Sequence, residues 1–188
     1  MDTKKRKPSE VSNFGQLSTQ DSALNTFQVS VVVPTYKRPH LLDRCLAALV
    51  AQILSPEQYE ILVVDDGPTE DTRQVVESWA MRPTAPRLRY LPVPTHRGPA
   101  AARNLGWQAA QGGIVAFTDD DCIPAPEWLA AGIGPFTDRA VWAVSGRIIV
   151  PLPAAPTDWE RNVAGLERAP FATANCLYRW RALSAVGG

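Results

Sequence analysis

Apolar and polar positions along this chain switch between two periods in a regular order. Val29-Ser30-Val31-Val32-Val33 is a β-branched run stopped by Pro34. A short apolar run closed by a breaker predicts an interior strand. Leu41, Leu42, Cys45, Leu46, Leu49, Val50 and Ile53 then recur at helical spacing, with Pro39 suited to the first turn. Tyr59 to Val64 predicts a second strand. It runs into Asp65-Asp66-Gly67-Pro68, and a helix follows with Thr69 as N-cap, Glu70 and Asp71 in its first turn, and Thr72, Val75, Val76 and Trp79 on its buried face.

Leu88 to Val93 predicts a third strand. Gly98-Pro99 opens an Ala-rich helix that runs to about Gln111, where Gly112 ends it. A fourth strand, Ile114 to Thr118, meets the triplet Asp119-Asp120-Asp121, followed by a short helix near Pro126 to Ala131 and a strand from Val141 to Val150. Residues 151–170 are rich in Pro and Ala without a clear period and predict a surface excursion; Phe171 to Tyr178 predicts a further strand. Strands alternating with helices of this length give an α/β fold with a mostly parallel sheet and right-handed crossovers.

The bulk numbers narrow the class. The chain has 188 residues, 45 % hydrophobic and 20 % charged, enough for one domain with a real core. Nineteen basic residues balance nineteen acidic ones, so bulk charge gives no reason to expect nucleic acid as a partner. The three cysteines, Cys45, Cys122 and Cys176, are far apart and form no CxxC pair, which fits a reduced, cytoplasmic setting. No stretch has the length of a membrane-spanning helix. Residues 1–26 are polar and predict a disordered tail. Its basic cluster, Lys4, Lys5, Arg6 and Lys7, is not followed by an apolar signal segment, and is either solvated or a peripheral contact with the inner face of a membrane.

Candidate chemistry lies at two strand ends. In open α/β sheets ligands bind beyond the carboxyl ends of the strands, and Asp65-Asp66 and Asp119–Asp121 both fall there. Clustered carboxylates repel one another and raise each other's pKa unless a cation sits among them. Oxygen-only ligands suit Mg²⁺ or Mn²⁺. One acidic pair can accept hydrogen bonds from a base or ribose while the other holds a metal against phosphates. The plainer readings are a solvated acidic turn, or Asp66 as a turn residue before Gly67.

Four segments together resemble the family 2 glycosyltransferases: Ser30-Val31-Val32-Val33-Pro34-Thr35-Tyr36, Glu60 to Gly67, Arg97-Gly98-Pro99-Ala100-Ala101-Ala102-Arg103-Asn104, and Phe117 to Asp121 with Pro126-Glu127-Trp128-Leu129 behind it. The resemblance spans residues 29–188 and places a glycosyltransferase domain over 27–188. It implies a GT-A fold and inverting transfer of a sugar from a nucleoside diphosphate to a hydroxyl of a glycan or lipid-linked acceptor, with Mn²⁺ or Mg²⁺.

By the same resemblance Pro34 and Tyr36 lie against the base, and Asp66 accepts from the base edge with Asp65 beside it. Arg103 and Asn104 flank the nucleotide. Asp119 and Asp120 hold ribose and metal-bound water, and Asp121, with Asp119, holds the metal. Asn175 and Arg179 fall in the acceptor-side segment. The plainer alternatives are Tyr36 packed on the sheet and Arg103 in a surface ion pair. Relatives continue past Gly-Gly to an acidic pair carrying the catalytic base, so that base is expected beyond Gly188 and the sequence reads as a fragment. A second reading is therefore a non-catalytic nucleotide-sugar-binding module. No GxGxxG follows any strand, which disfavours a dinucleotide-binding oxidoreductase.

Overall fold

A computed structural model describes residues 27–187; the tail expected over 1–26 lies outside them. Four strands run parallel: β1 (Phe27–Thr35), β2 (Tyr59–Asp65), β3 (Arg87–Pro92) and β4 (Gly112–Phe117). Two short strands complete the sheet in the order β3-β2-β1-β4-β6-β5: β6 (Cys176–Arg179) runs antiparallel to β4, and β5 (Ala143–Ser145) runs antiparallel to β6, back in the direction of the first four. The helices are α1 (Pro39–Val50), α2 (Glu70–Ala80), α3 (Pro99–Ala109), α4 (Trp128–Ile133), α5 (Asp158–Ala164) and α6 (Trp180–Val186).

β1 lies at the centre and is buried on both faces, which is why its run of valines is continuous. Val29, Val31 and Val33 pack with Leu42, Cys45, Leu46 and Leu49 of α1, Val76 and Trp79 of α2, and Leu129 of α4. Val32 packs on the other face with Ala102 and Trp107 of α3 and Leu183 of α6. The result is a three-layer α/β/α sandwich. Pro34 sits inside β1, which runs on to Thr35, two positions beyond the end at Val33 that the sequence pattern predicts. The ladder to β4 ends at Val32, so the missing N–H of Pro34 interrupts no pairing there.

The α3 face also holds a buried polar network. The Ser30 hydroxyl donates to Glu60 Oε1 at 2.8 Å, the Gln111 amide donates to the same oxygen at 2.7 Å, and Arg89 donates to Oε2 at 3.3 Å. These bonds fix the α3–β4 turn across three strands, at the edge opposite the acidic strand ends.

Several predicted elements differ in extent. α1 ends at Val50, and Ile53 is exposed rather than on its buried face. The adjacent Gln52 takes the buried position, donating to Ala125 O at 2.8 Å and accepting from the Leu129 amide at 2.9 Å. The strand expected over Val141–Val150 shrinks to Ala143–Ser145, because it pairs with β6 on one side alone and β6 is four residues long. The strand expected from Phe171 begins at Cys176. The excursion over 151–170 contains α5, opened by a Thr157–Glu160 capping box, although none of its residues is buried. Thr69 caps α2 as the sequence predicts, its hydroxyl accepting from the Thr72 amide at 3.2 Å.

Helix α3 rides close to the sheet at Gly106, where an added Cβ would lie 2.3 Å from Val32 Cγ1 in the core. Overpacking of this kind costs about 1–3 kcal/mol, against a helix-propensity gain of about 1 kcal/mol. Gly106→Ala is expected to lower unfolding free energy in urea by up to about 2 kcal/mol.

Burial pushes the Tyr59 hydroxyl up to about 12, and Tyr178 likewise to about 12. Their folded pKa values exceed the unfolded value of about 10, so their contribution is complete below about pH 10 and is lost as pH rises toward about 12. Alkaline titration is expected to show tyrosinate absorbance from these rings appearing together with unfolding. Ionisation of both rings at about pH 10 in a still-folded chain would contradict that burial.

Candidate nucleotide and metal site

The parallel strands β2 and β4 flank β1, so their acidic ends share one edge with the β1–α1 turn between them. That turn is Tyr36-Lys37-Arg38. Lys37 adopts φ +53, the left-handed region that a non-glycine residue occupies at a cost. Beyond β1 the two neighbours of Lys37 part: Tyr36 meets the β2 side and Arg38 the β4 side.

On the β2 side both carboxylates are buried and both are occupied. Asp65 accepts from Tyr90 Oη at 2.8 Å and from the Gly67 amide at 3.1 Å, which makes it the turn residue. Asp66 accepts from the backbone amides of Arg97 at 2.9 Å and Gly98 at 2.7 Å, pulling the β3–α3 loop onto the end of β2. His96 Nδ1 lies 2.7 Å from Asp66 Oδ2, and its ring stacks on Tyr36 with centroids 4.4 Å apart. Tyr36 is 41 % exposed and lies over Gly67. The outcome is an exposed aromatic ledge directly above a buried carboxylate. His96 forms part of that ledge.

On the β4 side the triplet divides. Asp120 points inward and is fully buried, accepting from Thr35 Oγ1 at 2.7 Å. Asp119 pairs with Arg103 of α3, and Asp121 stays outside with its side chain half exposed. Arg38 spans the inner and outer carboxylates, 2.5 Å from Asp120 Oδ1 and 3.4 Å from Asp121 Oδ2. Burial pushes the Asp120 carboxyl up, the charges of Asp121 and Asp119 add to this, and Thr35 and Arg38 oppose it. Among the described residues two buried side-chain atoms lack a hydrogen-bond partner, Asp120 Oδ1 and Arg103 Nε, and both belong to this edge. Arg38 touches Asp120 Oδ1 without hydrogen-bond alignment. Buried polar groups are ordinarily satisfied, so an orphan acceptor and an orphan donor on one edge point to a ligand that supplies the partners.

Asn104 is exposed and accepts from Trp107 Nε1 at 3.2 Å. Asn175 sits near the edge but is fully engaged, accepting from Trp128 Nε1 at 2.8 Å and donating to Arg147 O at 2.9 Å. Arg179 is separated from the other candidates. β6 is antiparallel, so its end pairs with Ile114 near the opposite edge, and the guanidinium is spent on the carbonyls of Phe136, Asp138 and Val141. Thr35 and Arg38 went unmarked in the sequence. The available signals were a threonine closing a buried strand and an arginine directly before a Pro-initiated helix.

No group of three or more His, Cys, Asp or Glu side chains converges as a ready-made metal cage among the described residues. The oxygen donors nevertheless fit a hard divalent ion. Mg²⁺-type ions are bound through one or two carboxylates with substrate phosphates completing the shell. Asp121 is the accessible carboxylate, and the unpartnered Asp120 oxygen lies behind it.

Comparison with known proteins assigns the fold to a family. The sequence model described as "Glycosyl transferase family 2" matches residues 30–183. The chain belongs to that family, and its sandwich is a GT-A fold. It is similar to the glycosyltransferase AglE of Haloferax volcanii, 32 % identical over 71 % of this chain and 43 % of that protein. Validoxylamine A glucosyltransferase of Streptomyces hygroscopicus subsp. limoneus is 39 % identical over 60 % of this chain and 25 % of that protein. Among solved structures, the mannosyltransferase PcManGT from Pyrobaculum calidifontis, in complex with GDP-Man and Mn²⁺, superposes with a TM-score of 0.68 at 29 % identity. The superposition covers 86 % of this chain and 47 % of that one. TarS of S. aureus in complex with UDP-GlcNAc shares the fold, with a TM-score of 0.70 at 23 % identity. The chain thus spans less than half the length of these proteins.

The ledge depends on close approach at Gly67, where an added Cβ would lie 2.6 Å from Tyr36 Cε2. Since the Tyr36 ring is half free in solvent, Gly67→Ala is expected to displace the ring while changing stability by no more than about 0.5 kcal/mol. Loss of the Tyr36–His96 ring-current shift in the NMR spectrum, with an unchanged melting temperature, is the check.

Proposed function

We propose that residues 27–188 form the donor-binding part of a metal-dependent, inverting glycosyltransferase that moves a sugar from a nucleoside diphosphate to a hydroxyl acceptor. The observation that carries this reading is the pair of unsatisfied buried groups, Asp120 Oδ1 and Arg103 Nε, on the same strand edge as the Tyr36–His96 ledge. A nucleoside diphosphate has a flat face for the ledge, amide edges for a carboxylate, and anionic oxygens for a guanidinium.

In this reading the base lies on Tyr36, beside Pro34, with Asp66 below it. Asp66 acts through its hold on the 97–98 backbone as well as directly, because each of its oxygens already accepts an amide. Asp65 holds the turn. Arg103, steadied by Asp119, offers Nε to ribose or phosphate, and Asn104 flanks it on α3. Asp121 and Asp119 would hold the metal with the unpartnered Asp120 Oδ1 behind them, and the other Asp120 oxygen anchors the triplet to Thr35. A bound Mn²⁺ or Mg²⁺ would neutralise charge developing on the leaving diphosphate. The acceptor hydroxyl attacks from the opposite face of the sugar and loses its proton to a carboxylate that these residues do not assign. Asn175 belongs to the acceptor side as a scaffold, through its bonds to Trp128 and Arg147.

Calorimetric titration with UDP, GDP and dTDP, each with Mn²⁺ and again with EDTA, tests the reading. One nucleotide is expected to bind in the micromolar range with Mn²⁺ and about tenfold or more weakly with EDTA or in Asp121→Asn, which removes a charged ligand. No binding of any nucleotide by a chain that unfolds cooperatively would overturn it.

A further inference from the structure

Arg38 is the least expected occupant of the acidic edge. It is the N-cap residue of α1 but makes no side-chain cap bond. Its guanidinium instead lies across the triplet, against buried Asp120 and exposed Asp121, while remaining 45 % exposed itself. The left-handed turn at Lys37 delivers it there.

Two features set this contact apart from a fully formed arginine–carboxylate pair. Arg38 reaches Asp120 Oδ1 without the alignment of a hydrogen bond, leaving that oxygen formally unpartnered. Its second contact, to Asp121, is long at 3.4 Å, far from the short bidentate fork that arginine makes with a carboxylate when the pair is permanent. A bulky, half-exposed cation thus sits where a compact divalent ion would be attracted, and two cations cannot share those oxygens without repulsion.

Resting on the donor-site reading above, we propose that Arg38 is an exchangeable counter-ion. It neutralises the Asp120–Asp121 pair before donor arrives, and it moves from the carboxylates to the diphosphate when metal and donor bind together. The move keeps the charge of the site balanced: the carboxylates exchange one cation for another, and the released guanidinium meets two phosphate groups that match its fork geometry. Arg38 is a binding and positioning residue in this scheme. It takes part in no bond-making step.

The scheme predicts effects of opposite sign, which a merely structural role would not give. In Arg38→Gln, Mn²⁺ alone, followed by the electron paramagnetic resonance of the free ion, is expected to bind about threefold or more tightly, because a competing charge is gone. UDP or GDP with saturating Mn²⁺, followed by calorimetry, is expected to bind about tenfold or more weakly. Arg38→Lys keeps the charge without the fork, so Mn²⁺ affinity should stay near that of the unaltered chain and nucleotide affinity should fall by about threefold. Arg38→Lys carries the test if Arg38→Gln does not fold. Changes of the same sign in both affinities, or no change in either, in a variant with the unaltered circular dichroism spectrum would overturn the proposal. Failure of the unaltered chain to bind either nucleotide would instead remove the donor site itself, and the role of Arg38 with it.

Discussion

Two buried carboxylates, Asp66 and Asp120, govern the architecture of the functional edge. Each ends a buried strand on either side of β1, and neither can be left without partners in a low-dielectric setting. The chain solves the problem differently on the two sides. Asp66 is satisfied by the backbone of the 97–98 loop, which is how β3, the loop and the start of α3 are drawn to the edge. Asp120 accepts a hydrogen bond on one oxygen alone, from Thr35, while its other oxygen meets the Arg38 guanidinium without hydrogen-bond alignment. The first arrangement closes one wall of the edge, and the second leaves a buried acceptor without a hydrogen bond.

The central strand converts these demands into a site. β1 lies between the two acidic ends, and side chains of the turn that leaves it reach toward both. Left-handed geometry at Lys37 separates Tyr36 from Arg38, so that an aromatic ledge and a cation lie on opposite sides of the same strand end. Behind them α3 presses on Val32 through Gly106 and presents Arg103 to Asp119. The proposed division of labour rests on this separation: base recognition near β2, diphosphate and metal near β4.

Much of this was legible in the sequence because it is local. The valine run of β1, the helical face of α1 and the Thr69 cap each follow from spacing and side-chain chemistry within a few residues. The placement of both acidic clusters at one edge needed only parallel strands. Features that depend on pairing across the fold were not legible. Nothing near Val141–Val150 reveals that its partner β6 is four residues long. Nothing near Arg179 reveals that its strand runs antiparallel, which carries the side chain away from the site to carbonyls near Phe136. Arg38 reads as an ordinary surface charge before a helix until the turn brings it to Asp120. Glu60 reads as an interruption of a strand until Ser30 and Arg89 meet it.

In the proposed reading, nucleotide and metal share the edge formed by residues 35–38, 66–67, 96–98, 103 and 119–121. Paramagnetic broadening of amide NMR signals by Mn²⁺, with and without a nucleoside diphosphate, tests it most directly. The account predicts broadening centred on 119–121 and extending to 35–38, strengthened by nucleotide and abolished by EDTA, with 60 and 176–179 spared or much less affected. Broadening centred elsewhere, such as the groove between α1 and α2 lined by His40, Asp43 and Asp71, would contradict it.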